Sequence, residues 1–137
     1  MFSKALIAGG MILMIISCTS PEKLMNDKTA DRIYFGKSGG FTNIPMEYVV
    51  IDNSRVYKIE EGKFSAIEKI SRQQGGELDE MLEAIHIDQL NLNETGNITY
   101  YIKVVRPGSE KEIKWSDNTQ NTEVKEFYKA LMATVNK

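Results

Sequence analysis

His86 is the single histidine of this chain, and it follows Glu83 by three residues, a spacing that puts both on one face of a helix. An imidazole and a carboxylate so placed could hold a metal or pass a proton. Zinc, however, takes three or four protein ligands, and the chain has no second histidine and only one cysteine. The same shortage works against a nucleophilic triad, and no Gly-x-Ser-x-Gly turn occurs. His86 therefore reads as a helix-capping or surface residue. Glu77, Asp79, Glu80 and Glu83 could offer an acid/base pair, but glycosidases set two carboxyls about 5–10 Å apart across a cleft. Here the four follow one another along one predicted helix and read as its solvated face. A hydrolase would need a ligand-sized cleft lined by Glu83, His86 and a second polar cluster. Asn93-Glu94-Thr95 and Asn97-Ile98-Thr99 match the glycosylation sequon, and Asn93–Asn97 reads more simply as a turn into a strand. The residues thus predict a protein that is not an enzyme, without metal or cofactor.

Cys18 carries different chemistry. Lys4 supplies one positive charge, Ala5–Ile16 is an unbroken apolar run, and Ile15-Ile16-Ser17 leads directly into the cysteine. The run is too short to span, since a transmembrane helix needs roughly 20 apolar residues. It fits the apolar region of an export signal. Its end looks like a bacterial lipobox, which implies a diacylglyceryl group on the Cys18 thiol, cleavage before it, and a palmitate-type chain on the new amino terminus. Each buried CH₂ of an acyl chain contributes about 0.8 kcal/mol, and more than one chain is needed for stable anchoring. Residues 1–17 are then a signal peptide, 18–30 a lipidated amino terminus and tether, and 31–137 a single domain. Thr19 follows the cysteine, where some bacteria use aspartate to retain lipoproteins at the inner membrane, so the expected location is the outer membrane.

With residues 1–17 removed, net charge moves from −2 to −3. Nucleic-acid binding calls for an excess of lysine and arginine, so the expected partners are the membrane and an envelope or secreted protein, not nucleic acid. With Cys18 acylated no thiol remains for a disulfide, and burial alone must stabilise the domain.

Ser38-Gly39-Gly40-Phe41 is the remaining candidate. Two glycines let backbone approach a partner closely, and Phe41 offers an apolar anchor. A phosphate cradle would require a helix amino terminus next, whereas the segment after Phe41 is strand-like. Two readings stay open: a partner-binding loop of Gly39, Gly40, Phe41, Thr42 and Asn43, or a structural turn with Phe41 packed inward.

Periodicity supplies the scaffold on which these residues sit. Arg32–Phe35 and Met46–Ile51 are strand-like, Asp52-Asn53-Ser54 is turn chemistry, and Arg55–Ile59 alternates with Tyr57 and Ile59 on one face, closing a hairpin. Phe64–Ile70 is a weaker strand. Glu77–Ile85 is a helix with Leu78, Met81, Leu82 and Ile85 on one stripe, its start limited by Gly75-Gly76. Asn97–Val105 is the clearest strand. Pro107-Gly108 reverses the chain through a type II turn, and Glu112–Ser116 returns with Ile113 and Trp115 buried. Asn121 or a neighbour caps a last helix whose stripe is Val124, Phe127, Leu131 and Val135. The predicted fold is α+β: an antiparallel sheet of about five strands with two helices packed on one face.

In this order of elements, and in the Ser-Gly-Gly-Phe step, residues 31–136 resemble the emfourin-like family, small protein inhibitors of thermolysin-type metallopeptidases. Asn43 stands where that family tends to have another glycine. The resemblance implies a peptidase partner engaged through the Gly39–Asn43 loop. The chain is also similar to the small lipoproteins of Bacteroidetes-type envelopes, which implies instead a structural or assembly role without inhibition.

Overall fold

Alternating apolar residues along six short segments produce one sheet. The computed structural model describes residues 21–41 and 43–136; Cys18, the leader before it and Thr42 lie outside the described residues. The strands are β1 (Arg32–Gly39), β2 (Met46–Ile51), β3 (Arg55–Glu60), β4 (Lys63–Lys69), β5 (Ile98–Arg106) and β6 (Ser109–Ser116). Their order in the sheet is β4-β3-β2-β1-β5-β6, every pair antiparallel. The weak segment after Gly62 is a strand, which brings the sheet to six rather than five. A bulge opposite Val56/Tyr57 lets it pair, at the sheet edge where such irregularities concentrate.

One face carries Ile33 and Phe35 of β1, Tyr48 and Val50 of β2, Val56 of β3, Ile102 and Val104 of β5, and Ile113 and Trp115 of β6, all buried. Two helices cover it, α2 (Arg72–Ala84) through Leu78 and Leu82, and α3 (Thr122–Ala133) through Val124, Phe127 and Leu131. Asn121 caps α3, its side-chain oxygen accepting from the Val124 amide at 3.1 Å. The start of α2 differs from the expectation. The helix begins at Arg72, because Ser71 caps it by accepting the Gln74 amide at 3.1 Å. Gly75 lies inside the helix for a packing reason: a Cβ there would come within 2.6 Å of the Asn53 carbonyl oxygen. The glycine lets the first turn of α2 lie directly on the β2–β3 turn.

The second face is half covered. Within the segment read as a tether, Pro21–Asn26 forms a short helix, α1, and Met25 is buried with Ala30, Val49, Ile51 and Tyr57. The Arg32 guanidinium donates to the Met25 carbonyl, and Tyr34 Oη contacts Met25 Sδ at 3.6 Å. A guanidinium on a carbonyl at a helix carboxyl end is a favourable cap. Beyond α1 the face is open, a shallow trough of about 610 Å³ whose lining includes Tyr34, Ile59, Phe64, Tyr101 and Lys103. The β6 edge is met by residues 92–94, where the Lys114 amide donates to Leu92 and its carbonyl accepts from Glu94. The β4 edge presents Lys63, Ser65 and Lys69 to water, charges that discourage strand addition.

Candidate functional site

The β1–β2 connection is built on two glycines at the end of β1. Gly39 has φ 91 and Gly40 φ 81, a region that side chains avoid. Space demands glycine as well: a Cβ on Gly39 would sit 2.2 Å from the Asn97 carbonyl oxygen. That carbonyl, at the entry to β5, accepts the Gly40 amide at 2.9 Å. The base of the loop is thereby fastened to the centre of the sheet, and the residues beyond it are thrown outward.

Phe41 is 108% exposed and Ile44 68%, the exposed large hydrophobics among the described residues. The inward-packed alternative for Phe41 is therefore overturned. With β1 ending in glycines locked on Asn97, the phenyl ring has already left the sheet before the chain turns back. Asn43 is exposed with φ 48, the left-handed region that asparagine tolerates better than most residues. Gly39, Gly40, Phe41 and Asn43 thus belong to one protruding loop, in which Thr42 is not described. Ile44 was missed in the sequence; the signal was an apolar residue directly before Pro45, in a stretch too short and too punctuated to be core.

The other candidates lie elsewhere. His86 is exposed, takes φ 49 just after the end of α2, and its amide donates to the Glu83 carbonyl at 3.2 Å. It occupies the left-handed position at a helix end that glycine usually fills, so it is a capping residue. A shallow hollow of about 580 Å³ touches Asp31, Asp79, Glu83, His86, Asp88 and Arg106. Three of its charged side chains are engaged with neighbours. Arg106 pairs with Asp88 at 3.4 Å, and Asn53 donates to Asp79. Glu77, Asp79, Glu80 and Glu83 are all exposed along α2. Asn93 forms the bridge to Lys114, and Asn97 is the residue that holds the loop base.

The largest electrostatic perturbations fall on two tyrosines, Tyr101 in β5 and Tyr128 on α3. Tyr101 is pushed above its ordinary range, first by burial and then by the Glu47 carboxylate to which it hydrogen-bonds. Gly36 stands between the two in the register, paired with Glu47 on one side and Tyr101 on the other. Tyr128 is likewise pushed up, first by burial and then by Tyr100 and Tyr48.

No described helix is long and apolar enough to cross a membrane. No protein-family model matches the chain, and no curated protein matches its sequence.

Proposed function

We propose that this chain is a lipid-anchored binding module of the bacterial envelope, whose β1–β2 loop presents Phe41 and Ile44 to a protein partner. The observation that carries the reading is that these two large apolar side chains face water on a loop whose base is hydrogen-bonded to Asn97. Interface energy concentrates in a few apolar anchors, and a loop fixed before binding loses less entropy when it docks. The loop leaves β1 at the end opposite to α1. An eight-residue strand rises about 26 Å at 3.3 Å per residue, so an anchor at Cys18 would hold the chain at one end and leave the loop at the other.

Within this reading the partner is a thermolysin-type peptidase. Support comes from the Ser-Gly-Gly-Phe step at the loop base and from Asn43, whose backbone adopts the conformation open to the glycine that the emfourin-like pattern places there. Titrating the protein into thermolysin-type enzymes tests it: saturable inhibition is expected, weakened at least tenfold by Phe41→Ala, a loss of about 1.4 kcal/mol. Absence of both inhibition and binding would remove the peptidase assignment. The remaining reading would then be a structural or assembly lipoprotein without inhibitory activity, favoured by the open second face of the sheet.

A further inference from the structure

A third concave surface lies on the helix-covered side of the sheet, where the β5–β6 hairpin meets α3. It encloses about 360 Å³ and is floored by Tyr100, Trp115, Tyr128 and Met132, with Lys125, Lys129 and Asp117 at its rim. Small-molecule sites have this make-up, an apolar floor with a few polar groups at the mouth and volumes from about 300 Å³ upward.

The ring geometry narrows the ligand. Tyr100 stacks on Trp115 at 5.8 Å and 16°, while Tyr128 meets each edge-on at 5.3 Å. Aromatic boxes for cations leave ring faces open toward the guest; here the rings occupy one another's faces. The rim also repels cations. Lys125 and Lys129 are four residues apart on α3, so both ammonium groups stand on the same side of the helix. Lys125 Nζ donates to the Asp117 backbone carbonyl at 3.4 Å, which places it at the mouth. Lys129 is exposed and has no partner among the described residues. The one carboxylate, Asp117, already accepts the Tyr100 hydroxyl at 2.9 Å.

We propose that this hollow binds a small aromatic or apolar molecule bearing a negative charge, its body on Tyr100, Tyr128 and Met132 and its anionic group between Lys125 and Lys129. The thioether of Met132 adapts to the outline of a flat or aliphatic body. Ammonium-to-anion hydrogen bonds contribute more than neutral ones, so the charge decides selectivity while the floor supplies contact area. The site is independent of the Phe41 loop.

Trp115 is the only tryptophan, and its indole N–H gives a single side-chain resonance at the floor of the hollow. The test is to titrate the full chain, labelled with nitrogen-15, with 2-naphthoate and with its neutral alcohol and methylammonium analogues. A saturable shift of the Trp115 resonance is expected for the carboxylate, with affinity roughly tenfold or more above both analogues. Lys125→Gln with Lys129→Gln should bring the carboxylate down to the level of the alcohol without changing the melting temperature, and Phe41→Ala should leave it unchanged. Equal binding of the three compounds, no saturable shift at millimolar concentration, or full carboxylate binding in the double variant would overturn the assignment.

Discussion

Gly36 and Gly39 are fixed by backbone crowding more than by flexibility. A Cβ on Gly36 would lie 1.9 Å from the Met46 carbonyl oxygen, in the middle of β1, and Tyr101 reaches across the gap toward Glu47. Gly36→Ala must therefore separate two central strands, and a loss on the order of 3 kcal/mol is expected, the upper end of overpacking costs. Gly76 gives the contrast: nothing lies within 4 Å of a Cβ there, and it sits inside a helix. Gly76→Ala should stabilise by up to about 1 kcal/mol. Urea denaturation of the two variants checks both, and equal midpoints would show that the close approach at Gly36 is not rigid. Phe41 belongs to the same scale. The residues showed that a glycine-aromatic step existed, but not which way the ring points, because that depends on Asn97, more than fifty residues away in the chain, gripping Gly40.

Among the elements, each long helix begins at a side-chain cap, and each cap can be removed. Ser71→Ala and Asn121→Ala are expected to cost about 1 kcal/mol apiece, read as additive shifts in thermal or chemical melts because the caps share no partner. Asn121 was legible: a polar residue followed by Glu123 and an apolar stripe marks a helix start. Ser71 was not. The glycine pair behind it argued for a later start, and only the nearness of the Asn53 backbone explains why glycine is favoured inside the first turn of α2. The hairpins were legible because Asp52-Asn53 and Pro107-Gly108 carry their turn geometry locally; Asp52 and Asn53 have φ 47 and 50, and Gly108 φ 77. The helix α1 and the bridge at residues 92–94 were not legible. Neither has an apolar period long enough to register, and both are held by distant partners, Val49, Ile51 and Tyr57 around Met25 for one and Lys114 for the other.

Across the molecule as a unit, the two most strongly raised of three raised tyrosines tie stability to alkaline pH. Tyr101 and Tyr128 hold their protons more tightly folded than unfolded, where tyrosine titrates near 10. The folded chain therefore binds more protons above pH 10, so their contribution is complete below that value and declines as pH rises past it. Denaturation midpoints should fall above pH 10, less steeply in Tyr101→Phe; a slope unchanged by that substitution would reject the link. Function is governed at this scale too. The loop leaves β1 at the end opposite to α1, so the proposed partner should be met at that end. The decisive experiment is site-specific photo-crosslinking in intact envelopes, from a benzophenone amino acid at position 41 and, as control, at position 108 in the β5–β6 turn at the opposite end of the sheet. A discrete protein adduct from position 41 that is missing from position 108 is the expected result. No adduct from position 41, or the same adducts from both positions, would contradict the role assigned to the loop.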